Sequence, residues 1–582
     1  MFFRGCTYDF ICIDTEMIKT TMFCKFKEMY DTRPFFAATI VFFVLFLGSF
    51  IFFIYFSHGD PHWGDQYFHF AYAELLKIEG IDVVNNFDWI YLSGHGDGGR
   101  YAVSLFQIAL IPFTFFSDHL FGMKVADIFF MSVSVSLFYY VLRKLKVKYP
   151  IFFTALLFLY AYLPVRFLIG RAFVLITTVL LLEVWLAVEK KYKLLFWTCL
   201  FHVLWHQATY FMPIGVVGIV ELSRYFIEKK IFIKNILATV GGIFFGMAFF
   251  PGFPMSIINF IKLIFVIQTG SMASSVAGER SWSGNELFAK NFMQDFATLD
   301  LLLALFIFSV FSVIYIYISF KKGQKEKKYS NDKLIGLFSY FIFTIILMWA
   351  SITISGRVFD FFITAVVLLS ALIFTFLSDC IQIKDMLFQK MLKWAVVVFS
   401  GILFINTYVT MYAHMNAFDY TPSRKAAEWV AERSENKERV FLRGWTSFTV
   451  IFASNQKNVY SMGLEPLALR KYDEDIYWKY YNIYWHNYYC ERNIDCKDLL
   501  EREMLYLKDQ DDSLRIAREK KNSEDIIKFI RDDLNTKYII SDNERFSNTI
   551  LRSEELIADQ FYVKTDKELE GRYMEYWVFE LK

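Results

Sequence analysis

Histidines and carboxylates crowd one short stretch, SHGDPHWGDQYFHFAYAELLKIEG, which holds His58, Asp60, His62, Asp65 and His69. Asp65 and His69 are four positions apart. A helix from Trp63 to Glu79 puts both on one face, which Ala73 and Leu76 continue. A carboxylate steadied by a neighbouring imidazole can take the proton of an attacking nucleophile, and Asp60 with Asp65 can instead hold a divalent cation. On spacing alone, a solvated acidic loop that caps a helix is the competing reading.

A second set is made of arginines. Arg166 and Arg171 flank the connection LPVRFLIGRAF, Arg357 stands in ITISGRVFDFF just before Asp360, and Arg280 lies in AGERSW. The planar guanidinium fork suits phosphate. Ionisable groups next to apolar segments usually have a partner or a ligand, although snorkelling to lipid headgroups also accounts for an arginine at a helix end. His202 and His206 are four apart in FHVLWHQATYFMP, but Val203, Leu204 and Trp205 between them supply no HExxH glutamate. Polar packing, or a hydrogen bond to substrate from His206 and Gln207, therefore outweighs zinc. P-loop, GxGxxG, GxSxG and CxxC patterns are missing, and SGHGDGGR reads as a flexible turn.

These residues must be positioned by a membrane scaffold. Hydrophobic residues make up 56% of the 582, with 68 phenylalanines. Runs such as Phe35–Phe56, Phe296–Phe320 and Trp394–Tyr412 are nearly uncharged and long enough to cross about 30 Å of hydrocarbon. About eleven spanning helices are expected, near 36–56, 123–142, 150–167, 172–188, 194–208, 210–226, 234–251, 299–319, 334–352, 358–378 and 393–412. Residues 102–117 are apolar too, but counting them would invert every later charge cluster. With Pro112 inside and too few residues to span, they read as an interfacial or re-entrant helix.

Lys/Arg clusters recur in alternate connections, at 143–148, 190–193, 224–234, 321–333 and 384–393. Residues 57–122 hold only Lys77 and Arg100 against eight acids. That asymmetry puts the N-terminus in the cytoplasm, and an odd number of spans puts the C-terminus outside. The net charge of +2 offers no field for nucleic acid. The first 34 residues lack a secretory pattern, so the first helix reads as a retained anchor.

Three parts are expected: a cytoplasmic segment 1–35, a transmembrane module 36–412 with outer loops 57–122 and 252–298, and an extracytoplasmic domain 413–582. In that last part TPSRKAAEWVAERSE has helical spacing, with Thr421 or Ser423 as N-cap. ERVFLRG, NVYSM, TKYIIS and YMEYWVFEL read as strands of a small α/β or α+β domain. Cys490 and Cys496 are near enough in sequence to pair, or are two free thiols.

In four places the chain resembles the GT-C superfamily of membrane glycosyltransferases, which use polyprenyl-phosphate-linked sugars and include oligosaccharyltransferase catalytic subunits, protein O-mannosyltransferases and aminoarabinose transferases. GDQYFHFAYAELLKIEG is similar to the family's Asp-x-x-x-His followed by an Ala-rich helix. YAYLPVRFLIGRAF is similar to its Pro-x-x-x-Arg-x-x-x-Gly stretch, and SGRVFDFFITAVVLL to the Arg-plus-acid start of a late helix. TPSRKAAEWVAERSENKERVFLRGW is similar to the opening of its outer domain. The resemblance implies a polytopic α-helical membrane fold with a small C-terminal α/β domain, in the plasma (inner) membrane.

It further implies Asp65 as the catalytic carboxylate, His69 orienting it or touching the donor, Arg357 on the lipid-linked phosphate, and Arg166 and Arg171 in the same cavity; His206 and Arg280 complete the expected substrate-binding set. The reaction implied is inverting attack on the anomeric carbon, with polyprenyl phosphate leaving. The partners would be that donor, a glycan, lipid or protein acceptor, and membrane lipids. No resident cofactor is expected; a divalent cation, Mg or Mn on Asp60 and Asp65, stays open. The chain departs from the oligosaccharyltransferase pattern where Gly170 is followed by Arg171-Ala172-Phe173 rather than acids, and where RGWTSF stands for WWDYG. Those departures favour a metal-independent transferase. They also keep in view a non-catalytic lipid- or partner-binding protein of the same fold, and a lipid-linked glycan transporter or polymerase.

Overall fold

The structure is a computed structural model. It describes residues 28–56, 60, 65–85, 88–92, 104–158, 162–168, 170–250, 253–254, 258, 305–315, 331–353, 358–380, 386–415, 419–444, 447–463, 469, 473–492, 494–508, 512–565 and 575–582. His58, His62, Arg280 and Arg357 lie outside them.

Among the described residues six helices are long and apolar enough to cross a membrane: Pro34–Phe53, His119–Lys144, Gln207–Glu228, Asn331–Ser351, Phe359–Ser378 and Trp394–Ala413. Phe173–Val188, Ile233–Ala248 and Leu305–Tyr315 are shorter apolar helices at expected positions. The expected span 150–167 is not one helix. It breaks into Pro150–Ala155, a 3-10 turn Leu156–Phe158, and Tyr162–Phe167. The 102–117 stretch forms a helix Leu105–Leu110 that tightens into a 3-10 turn Ile111–Phe115 around Pro112. Eleven residues of helix reach only about 16 Å at 1.5 Å per residue, too short to span.

Exposure separates the lipid face from the core. Phe43, Val44, Leu47 and Ile51 on the first helix are exposed, as are Val397, Val398, Ile402, Ile405 and Val409 on the last. An apolar surface that large needs a lipid or protein cover. The centre holds His119–Lys144, Phe173–Val188 and Phe359–Cys380, whose apolar side chains form one continuous core. His119–Lys144 starts where Asp118 accepts hydrogen bonds from the Leu120 and Phe121 amides, satisfying donors that a helix N-terminus leaves open. Gly242 and Gly246 let Ile233–Ala248 close on Tyr192–Trp205; a Cβ at Gly242 would stand 2.4 Å from the Phe196 carbonyl oxygen. Small residues four apart are a usual means of close helix packing in membranes.

At the far ends of three of these helices, Glu221 is a buried hub. It accepts from Arg224 Nε (3.2 Å), Asn235 Nδ2 (2.8 Å) and the Phe232 amide (2.7 Å). Arg224 and Asn235 also donate to the Ala187 carbonyl. A buried acid is tolerable only with such pairing.

The C-terminal part is built on a mixed five-stranded sheet. The strands are β1 Arg439–Leu442, β2 Val459–Tyr460, β3 Tyr538–Ser541, β4 Ile557–Lys564 and β5 Glu575–Leu581, in the order β2-β1-β3-β5-β4. β1 pairs in parallel with β2 and β3, while β5 is antiparallel to β3 and β4. The four segments expected as strands are strands; β4 went unread because its residues are largely exposed and carry no apolar alternation. Tyr420, not Thr421 or Ser423, is the N-cap residue of helix Thr421–Arg433, and Asp419 Oδ1 accepts from the Thr421 amide at 2.9 Å. Cys490 and Cys496 form a disulfide.

The segment after the first helix is part of this domain's core. Phe68, Ala71, Tyr72 and Leu75 of helix Asp65–Glu79 pack with Phe448, Ile451 and Phe452 of helix Phe448–Ser454. Each fully buried Phe contributes roughly 2–3 kcal/mol. Residues 89–91 extend the sheet edge: Tyr460 donates to the Trp89 carbonyl at 2.8 Å, and Tyr91 to the Tyr460 carbonyl at 3.0 Å. The membrane module and the sheet are therefore stitched together around Asp65.

Candidate functional site

Asp65 opens the helix Asp65–Glu79, whose buried face fixes its orientation. Its Oδ2 is ion-paired with Arg171 Nη2; the side chains are 37% and 13% exposed. The carboxylate thus remains reachable while the arginine is largely enclosed. The backbone at this point depends on Gly170. Its φ is +62°, and a Cβ would stand 2.6 Å from Gln66 Cγ and 2.9 Å from Asp127 Oδ1. Gln66 Nε2 donates to the buried Asp127 Oδ2 at 2.6 Å. The neighbours of both pair members, Gln66 and Gly170, are therefore seated on one buried acid. Gly170→Ala is expected to cost about 1–3 kcal/mol from left-handed strain and overlap, read as a lowered unfolding temperature in detergent.

His69, one turn on, faces Gln107. The Gln107 amide oxygen is taken by the Ser104 amide at 2.8 Å and by the Ser104 hydroxyl. Its NH2 group consequently donates to His69 Nδ1 at 3.2 Å, which leaves the ring proton on Nε2. Burial pushes the His69 imidazole down to about 4; Asp65 opposes that shift and Arg171 adds to it. His69 is thus a neutral donor at physiological pH rather than a cation.

That depression has a stability consequence. Above pH 6.5 the ring is neutral in both the folded and the unfolded chain. Between 6.5 and about 4 only the unfolded chain takes the proton, so stability falls as pH falls. Compared with His69→Asn, the wild type should lose up to about 3 kcal/mol more over that window, measured by chemical denaturation at stepped pH.

The other expected residues divide. Arg166 Nε is 3.1 Å from Asp360 Oδ2, with side chains 2% and 1% exposed, and its guanidinium lies over the Phe173 ring. It is a buried pair member. Asp60 is buried, and its Oδ2 accepts from Arg424 Nη1 at 2.8 Å and from the Tyr420 amide at 2.5 Å. Both carboxylates of the optional cation pair therefore face a guanidinium. Among the described residues no three His, Cys, Asp or Glu side chains gather into a metal-holding group. His206 ends the helix Tyr192–Trp205, and the Trp205 indole donates to the Ala172 carbonyl beside Arg171 at 2.8 Å. That bond places His206 on the same end of the module as the pair.

Tyr67, on the Asp65–Glu79 helix, and Tyr420, just before the first helix of the sheet domain, have rings 5.6 Å apart. Burial first, then nearby negative charge including Asp60, pushes both hydroxyls above the usual tyrosine range; Asp65 is among the charges acting on Tyr420. Sequence reasoning missed Gln66, Gln107, Tyr420, Arg424 and Asp127. Only Asp127 carried a signal, as a lone acid in the apolar run VADIFFMSVSVSLF; an acid inside a span is by default a candidate for function.

A half-exposed carboxylate, a guanidinium and a neutral imidazole donor thus meet where membrane helices join the sheet domain. Such a set can hold an anionic group and take a proton. No protein-family model matches the chain, and no curated protein matches it. Among solved structures it is similar to the Archaeoglobus fulgidus oligosaccharyltransferase tethered through a disulfide bond to an acceptor peptide with an NVT sequon. The likeness has a TM-score of 0.52, at 13% sequence identity, over 94% of this chain and 74% of that one. At that identity the likeness is one of fold. The chain shares its fold with an archaeal oligosaccharyltransferase and, among the described residues, carries six helices long and apolar enough to cross a membrane.

Proposed function

We propose that this protein is a membrane glycosyltransferase that moves a sugar from a polyprenyl-phosphate-linked donor to an acceptor at the face bearing the C-terminal domain. The observation that carries the reading is the half-exposed Asp65–Arg171 pair at the junction of the two parts, on a fold shared with an oligosaccharyltransferase. Asp65 takes the acceptor's proton as the nucleophile attacks the anomeric carbon. Arg171 holds the phosphate that leaves, where a fixed positive charge lowers the cost of the developing negative charge. The His69 Nε2–H donates to a substrate oxygen. Arg357 remains a proposed phosphate ligand on the resemblance, and Arg280 a proposed substrate-binding residue from its place in the arginine set.

The Cys490–Cys496 disulfide supports an extracytoplasmic sheet domain, because disulfides persist in oxidising compartments. One observation favours a second reading: Asp65 is already engaged by Arg171, as in a protein that binds lipid phosphate without turnover. The deciding experiment reconstitutes the purified protein in liposomes with a panel of polyprenyl-phosphate sugars and hydroxyl or amide acceptors, with product read by mass spectrometry. Transfer that depends on Asp65 supports the enzyme. Bound donor without product across the panel supports the second reading.

A further inference from the structure

The helix Phe173–Val188 carries Glu183 and the helix Tyr192–Trp205 carries His202, both fully buried in the membrane module. His202 Nδ1 is 2.9 Å from Glu183 Oε1, and His202 Nε2 is 2.9 Å from Thr209 Oγ1. The same hydroxyl is 2.9 Å from Nδ1 of His206. A single file of hydrogen bonds thus runs from a carboxyl within the bundle to His206, the residue after Trp205, whose indole donates to the Ala172 carbonyl. The second carboxyl oxygen, Glu183 Oε2, makes no hydrogen bond among the described residues.

The direction of the file follows from charge. A net charge on a fully buried pair with one bare oxygen is costly, so the Glu183–His202 pair carries none. A proton on Glu183 Oε2 would face no acceptor among the described residues, so it lies in the Glu183–His202 hydrogen bond, where two placements achieve neutrality. In one, a carboxylic acid donates to Nδ1 of a neutral imidazole whose own proton is on Nε2. In the other, a carboxylate faces an imidazolium that is protonated on both nitrogens. Either way His202 Nε2–H donates to Thr209 Oγ1. The Thr209 proton then has two acceptors, His206 Nδ1 at 2.9 Å and the longer contact to the His206 carbonyl at 3.3 Å. With the Thr209 proton on the shorter of the two contacts, Nδ1 is the acceptor, and a neutral His206 ring carries its proton on Nε2.

We propose that Glu183, His202 and Thr209 are positioning residues that fix His206 as a neutral Nε2–H donor for an unprotonated oxygen of the substrate. With His69, two neutral imidazole donors then stand at the end of the module that holds the Asp65–Arg171 pair. The use of His206 on a substrate rests on the glycosyl-transfer reading above; the position of its proton does not.

The test is nitrogen-15 NMR of histidine-labelled protein in lipid nanodiscs, with His206 assigned through His206→Gln. The expected result is an unprotonated Nδ1 and a protonated Nε2 at His206. Thr209→Ser should keep that pattern, and Thr209→Val should give a mixture of tautomers. A His206 proton on Nδ1 in the wild type would overturn the inference, a reading that needs no variant to fold. Signals unchanged in Thr209→Val would overturn it as well. Farnesyl phosphate added to the wild type should shift the His206 Nε2 signal and leave His202 in place. No shift at His206 would refute the substrate contact while leaving the tautomer assignment intact.

Discussion

Asp65→Asn is expected to lower sugar transfer by about 10²- to 10⁴-fold, the range that a positioned general base contributes, with the protein still folded. Asparagine keeps the shape of the side chain, and its amide oxygen can still accept from Arg171. What it cannot do is take a proton. The cost to the fold should be small, because the Asp65 side chain is 37% exposed and partly exposed ion pairs are worth about 0–1 kcal/mol. A first-turn acid adds only about 0.3–1 kcal/mol through the helix dipole. Activity and folding are therefore separable at this residue, as they are not at Gly170. The measurement is product formation at saturating donor beside an unfolding scan. A variant that transfers at the wild-type rate would remove Asp65 from the chemistry. A variant that still binds donor as the wild type does, but makes no product, isolates the proton-transfer step.

What was legible in the sequence follows from the range of the interactions. The first and last spans are long and uncharged, so length and composition suffice to find them. The broken stretch 150–167 was read as one span because its residues are apolar throughout; where it breaks is decided by packing, since the turn Leu156–Phe158 lies in the central core. Asp65 and His69 were legible together because their four-residue spacing is local. The partner of Asp65 is 106 residues away, and only the fold shows that Arg171 meets it while Arg166, five positions earlier, turns inward to Asp360. The local pattern LPVRFLIGRAF offers the two arginines as equals. Gly170 separates them, because its left-handed backbone turns the chain over Gln66 and Asp127. For the His202–His206 pair the sequence favours polar packing over a metal, and the two rings meet on one threonine hydroxyl, a partner that the four-residue spacing does not name.

Arg424→Met carries the largest expected effect on the fold. Asp60 is 4% exposed and Arg424 25%, and together they tie the segment that follows the first membrane helix to the first helix of the sheet domain. Removing the guanidinium leaves a buried carboxylate beside the Tyr420 amide and close to the Tyr67 hydroxyl. Breaking such a pair from one side costs about 2–5 kcal/mol, mostly because the remaining charge is stranded. Adding Asp60→Asn removes that charge while keeping an acceptor for the Tyr420 amide, so the double variant should regain most of the lost stability. The cycle also decides between two roles for Asp60. A latch predicts strong coupling between the two substitutions in unfolding free energy, with Asp60→Asn alone milder than Arg424→Met. A cation ligand predicts near-additive stabilities, and a loss in Asp60→Asn of any activation by added Mg or Mn. Because the Tyr420 amide is held by Asp60 and its hydroxyl feels both Asp60 and Asp65, the latch further predicts that Arg424→Met weakens donor binding even where the protein stays folded, and that the double variant restores it.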